Sequence, residues 1–108
     1  MSYGTAGVVV TAGGKQALYN IAMALFGPGD EVITHVPGWL SIVEQVHLAG
    51  AEPVLVRTSA EGGFALGVEA VLDAVTPRTR GVIINSPGNP TGALMSETEL
   101  ERLADGLA

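Results

Sequence analysis

The sequence predicts an α/β chain of parallel strands with helical crossovers. Three observations predict it. Short β-branched runs recur at 8–11, 31–36, 53–56 and 81–84. Between them lie stretches with apolar residues at helical spacing. Each run or helix stops at a Gly- or Pro-containing break, which gives β-α-β-α-β-α-β-α order without an internal repeat or linker. Such alternation implies parallel pairing with crossovers of one hand.

Val8, Val9, Val10 and Thr11 form the first predicted strand. Ala12, Gly13 and Gly14 turn the chain, and 15–25 reads as a helix with Ala17, Leu18, Ile21, Ala22 and Leu25 on one face. Gly27, Pro28, Gly29 and Asp30 make a turn. Residues 31–36 are the second strand, ended by Pro37 and Gly38. The spacing predicts a helix over 39–49, with Leu40, Val43, Val46 and His47 on its apolar side and Gly50 as its stop. Residues 53–56 are the third strand, and 58–63 a polar loop. Val68, Val71, Leu72 and Val75 mark a short helix that Thr76 and Pro77 break. Residues 81–84 are a buried fourth strand that ends at a stiff loop, since Pro87 and Pro90 fix φ and restrict the residues before them. Ser96 and Glu99 form a capping box that opens a last helix through Leu100, Leu103 and Leu107.

The 108 residues suffice for one small domain. Charged residues are 15% of the chain, against about 25% in an average domain, and there are 15 glycines. That balance suggests a surface meant to be covered. Net charge is -6 and the five cations, Lys15, Arg57, Arg78, Arg80 and Arg102, are scattered, which argues against nucleic acid. The absence of cysteine excludes disulfides, cysteine-ligated zinc and a cysteine nucleophile. His35 and His47 are too few and too far apart to suggest a metal site. With no long apolar run and no basic, apolar start, the expectation is a cytoplasmic protein without membrane contact.

Three places offer chemistry. Gly13, Gly14 and Lys15 lie between a strand and a helix, where free amides and the helix dipole favour an anion such as phosphate. The pattern is neither a P-loop nor GxGxxG, and an ordinary helix start fits it equally. Trp39, the only tryptophan, follows the second strand. It suits core packing or a flat ligand. Asn89 sits before Pro90 at the carboxyl end of the fourth strand, the side on which open α/β sheets bind ligands. All three fall on one expected sheet edge, which would suit a phosphorylated aromatic ring.

The stretches VTAGGKQALYNIAMAL, GPGDEVITHVPGWLS, AGAEPVLV and TPRTRGVIINSPGNPTGALMS resemble the class I/II aminotransferases of fold-type I, which use pyridoxal 5'-phosphate (PLP), and among them the aspartate aminotransferase-like enzymes. The resemblance runs from about Val8 onward. It implies that 1–108 is part of the PLP-binding large domain, an incomplete three-layer sandwich, in a homodimer acting on an amino acid and a 2-oxo acid. It places the cofactor phosphate on Gly13, Gly14 and Lys15, the pyridine ring against Trp39 and the phenolic oxygen on Asn89, with Trp39 and Asn89 also near substrate. Gly38 departs from the pattern, since many relatives carry tyrosine there.

The resemblance also implies that the Schiff-base lysine lies outside these residues. Lys15 is the only lysine and matches the phosphate loop, so no catalytic residue is assigned. In the family's sheet other strands separate the first and fourth strands found here. The expectation is then an unpartnered segment 8–11 and an isolated chain that is unstable, associates, or orders within a larger assembly. Two other readings remain: a small module that binds a nucleotide or sugar phosphate without catalysis, and a truncated product with no chemistry.

Overall fold

A computed structural model describes residues 3–108. Three parallel strands, β1 (Glu31–Val36), β2 (Glu52–Arg57) and β3 (Thr79–Val82), form a sheet in the order β2-β1-β3. The helices are α1 (Gly14–Leu25), α2 (Leu40–Leu48), α3 (Val68–Asp73) and α4 (Glu97–Leu107), preceded by a 3-10 turn at Thr5–Gly7. The chain steps from β1 to β2 in one direction and returns past β1 to β3. The reversal makes the gap between β1 and β3 a topological switch point, and its crevice opens at the strands' carboxyl ends.

Alternation along β1 sorts the core into two layers. Ile33 packs with Val56, Leu66, Val68, Val71, Met95 and Leu103, the side of α3 and α4. Val32 packs with Val46 and Ala51, the side of α2, with Phe26 and Ile83 against them. The two crossover helices thus lie on opposite faces, as steps in opposite directions along the sheet require if both crossovers have one hand. Helix α1 lies against α2, and α3 against α4. The result is the predicted α/β layering, and β1 keeps its expected bounds.

Four sequence expectations need correction. Segment 8–11 is not a strand: it pairs with nothing among the described residues, and Val9 and Val10 are 82% and 92% exposed. β-branched residues fit a pleated surface but cannot hold a strand without a ladder. The strand placed at 81–84 runs instead over Thr79–Val82. Pairing with β1 starts it early, since the Glu31 amide donates to Arg78 O and Thr79 stands opposite Glu31. The register then shifts by one residue at Arg80, and the Ile83 amide adds one further bond to Ile33 O.

The apolar side of α2 is turned from the expectation. Leu40 is 67% exposed and His47 is exposed, while Ile42, Gln45 and Val46 are buried. The face predicted for α1 is mostly open: Ala22 is buried, and Ile21 and Leu25 are exposed. The helix packs chiefly on α2. Val75, Leu100 and Leu107 are likewise largely exposed. No helix among the described residues is long and apolar enough to cross a membrane.

The opposite end of the sheet is tied down by a buried carboxylate. Glu31 accepts from the Arg78 guanidinium and, at 2.5 Å, from the Thr76 hydroxyl. The Thr76–Pro77 break that ends α3 is therefore anchored to the start of β1.

Candidate functional site

The first element of the site is the start of α1. Gly13 has φ 85°, a left-handed value that a side chain would strain, and it is the helix N-cap. Its own amide donates to Thr11 O at 2.8 Å, and the Ala12 amide donates to Gln16 Oε1 at 2.6 Å. The amides of Gly14, Lys15 and Gln16 fall in the first helical turn, where no intrahelical acceptor exists. No side chain caps them. A Cβ added at Gly13 or Gly14 would meet nothing within 4 Å, so the backbone here faces open space.

The second element is Trp39, half-buried, at the N-cap of α2 directly after β1. The Val36–Pro37 peptide is cis, and a Cβ added at Gly38 would lie 2.3 Å from the His35 carbonyl oxygen. No side chain fits there unless the backbone moves. Lys15 Nζ stands 5.7 Å from the centroid of the Trp39 ring, a cation–π contact. The amide loop and the aromatic ring are therefore neighbours.

The third element is the loop after β3. The Asn89 amide donates to Asn85 Oδ1 at 2.9 Å, and the Gly88 amide donates to Ala93 O at 2.8 Å. The Met95 amide donates to Ser86 Oγ at 2.9 Å. A Cβ at Gly88 would come within 2.8 Å of Thr91 Oγ1, so a larger residue there would require the Thr91 side chain to move. Asn89 itself is exposed. It leaves the sheet at the same carboxyl edge as Trp39, on the neighbouring strand. No hydrogen bond or ring contact joins it to Trp39 or Lys15 among the described residues. Two of the three places are thus in contact, and the third shares their edge.

One residue escaped the sequence reading. Gln45 is 7% exposed on the inner side of α2, and its Nε2 donates to Lys15 O at 3.0 Å. Its Oε1 is buried without a partner. The signal was present: a polar residue between Ile42 and Val46 at helical spacing. Beside it a cavity of about 240 Å³ opens among Leu18, Ile21, Ile42 and Ile84. Among the described residues no group of three or more His, Asp or Glu side chains is placed to hold a metal.

The arrangement offers amides to an anion, an aromatic face beside them and an amide side chain on the same edge. Comparison with known proteins gives the same family as the sequence motifs. Residues 2–107 match the family described as aminotransferase class I and II. The probable aspartate/prephenate aminotransferase of Thermus aquaticus is 50% identical over 97 residues, 90% of this chain and 25% of that protein. The aspartate aminotransferase of Geobacillus stearothermophilus is 45% identical over 105 residues, 97% of this chain and 27% of that protein. The solved aspartate aminotransferase from Thermus thermophilus with maleate superposes with a TM-score of 0.87 at 49% identity, over 91% of this chain and 26% of that one. The chain thus spans about a quarter of the length of the relatives it matches. With residues 2–107 of its 108 matched, the chain belongs to the class I and II aminotransferases.

Proposed function

We propose that residues 1–108 are part of the large, cofactor-binding domain of a cytoplasmic, homodimeric PLP-dependent aminotransferase that moves an amino group between an amino acid and a 2-oxo acid. The observation that carries this reading is the 5.7 Å approach of Lys15 Nζ to the Trp39 ring, which puts the free-amide loop beside an aromatic face. The residues suit the cofactor. Open space over Gly13 and Gly14 lets a phosphate approach the backbone, and a helix N-terminus favours its charge.

In this reading the amides after Gly13, at Gly14 and Lys15, hold the phosphate. The Trp39 ring lies against the pyridine, and the Asn89 side chain donates to the phenolic oxygen. Trp39 and Asn89 also border the substrate. When bound, PLP supplies an electron sink for the substrate's α-carbon. The chain's own contribution is to bind and orient. Lys15, the only lysine, is engaged at the phosphate end over Trp39, so the amine that bonds the cofactor comes from elsewhere in the protein. The 108 residues alone are expected to transfer no amino group from aspartate or glutamate with PLP added.

The test is a titration read by Trp39, the chain's one tryptophan. PLP should quench its fluorescence in a saturable way, and ATP should neither quench nor compete. Competition by ATP would favour the nucleotide- or sugar-phosphate-binding module instead. Absence of any PLP quench in folded protein would overturn the assignment of Trp39.

A further inference from the structure

Gln45 stands outside the roles given so far, yet its side chain joins the two halves of the site by a hydrogen bond. Its carboxamide is buried between α1 and α2. Lys15 O can only accept, so the group facing it is the NH2 of Gln45, at 3.0 Å. That leaves Oε1 buried without a partner. A leucine or methionine would fill the same space with no orphaned acceptor. The sequence thus tolerates an unfavourable atom in order to keep the donor.

What the donor holds is specific. Lys15 is the second residue of α1, within the turn whose amides are free. Helix α2, which carries Gln45, begins at Trp39. A bond from Gln45 to Lys15 O therefore fixes the first turn of one helix against the helix that presents the aromatic ring. Lys15 is held twice, by its carbonyl from Gln45 and by its ammonium over Trp39. The bonds from the Ala12 amide to Gln16 Oε1 and from the Gly13 amide to Thr11 O tie this turn to its own approach, not to α2, and the face of α1 is otherwise loosely packed.

We propose that Gln45 is a positioning residue, which aims the Gly14 and Lys15 amides at the phosphate and sets their distance from the Trp39 ring. The inference rests on the phosphate reading above. Loss of the bond lets the first turn of α1 drift from α2. Binding of the phosphate end weakens, while contacts to the ring are kept.

The test compares PLP with pyridoxal, the same ring without phosphate, by equilibrium dialysis on the intact protein that carries this chain. The variant is Gln45→Met, which keeps length and volume and removes the donor. It should weaken PLP by about tenfold, the worth of roughly one hydrogen bond, and leave pyridoxal unchanged. Gln45→Leu, which also has no donor, should do the same. Equal PLP affinity in wild type and both variants would overturn the proposal. So would parallel loss of PLP and pyridoxal, which would assign Gln45 to general stability. Wild-type protein that binds the two ligands equally would overturn the phosphate reading itself, an outcome distinguished by needing no variant.

Discussion

On one face of the sheet α3 and α4 close a core around Ile33, Val71 and Leu103; on the other, α1 buries Ala22 and leaves Ile21, Met23 and Leu25 exposed. The closed face also carries the capping box of α4 and the Arg102–Glu69 ion pair. The open face carries the free amides, Gln45 and Trp39. In the proposed reading, the phosphate and ring contacts belong to the less packed layer. This is physically reasonable, because free amides and an accessible ring require surface that a filled core would bury. The cost is apolar area left uncovered, here along α1 and segment 8–11, where a groove of about 430 Å³ lies among Val9, Ala17, Ile21 and Leu25. The low charge and many glycines of the sequence anticipated such a surface.

The comparison breaks most directly at matched leucines. Leu103 is 4% exposed in α4, and Leu25 is 54% exposed at the end of α1. Leu103→Ala should cost about 2–5 kcal/mol, as for other buried leucines. Leu25→Ala should stay within about 0.5 kcal/mol, as for exposed positions. Urea denaturation of each variant measures both. Equal losses would show that α1 is as well packed in solution as α4, and the contrast between the faces would fail.

A smaller effect is expected at Gly38, where the two regions meet the strand ends. The His35 carbonyl stands 2.3 Å from where a Cβ would go. Gly38→Ala must push the backbone between β1 and α2, at a cost of about 1–3 kcal/mol, as for overpacking elsewhere. The displacement falls on the next residue, Trp39. The sharper readout is therefore tryptophan emission: the variant should shift it, whereas Leu103→Ala in still-folded protein should not. Unchanged emission together with unchanged stability would mean that the close approach is relaxed in solution.

The sequence was most readable where local chemistry decides structure. The Gly27–Asp30 turn and Pro37 bracket β1, and its bounds were found to the residue. The Ser96 capping box needs only four residues, and it is present. Reading failed where a distant partner decides. Val8, Val9 and Val10 have high β-propensity, but a strand exists only with a neighbour, and none pairs with them among the described residues. β3 begins at Thr79 because Glu31 of β1 lies opposite it, a fact absent from the apolar run that starts at Gly81. The site divides the same way. Gly13, Gly14, Lys15, Trp39 and Asn89 were visible as motif residues, and the structure places the first four together. Gln45 was not, since its role depends on a carbonyl 30 residues away in α1.

The smallest effect lies within the closed face and concerns pH. The Ser96 hydroxyl and the Ser96 amide each donate to Glu99 Oε2 at 2.7 Å. These two bonds, the hydroxyl first, hold the Glu99 carboxyl below its ordinary range, and the nearby Arg102 charge adds to the shift. A carboxyl with a lower pKa in the folded state binds fewer protons folded than unfolded. Its contribution is complete above the ordinary carboxylate range and drains away as pH falls through the lower folded value. Helix α4 should therefore fray in acid before the core of this face opens. Glu99→Gln keeps the shape of the box without an ionisable group, so its helix signal should vary less between pH 6 and pH 3. A variant as acid-sensitive as wild type would place the titrating group elsewhere, and α4 would then owe its start to Leu103 packing rather than to its cap.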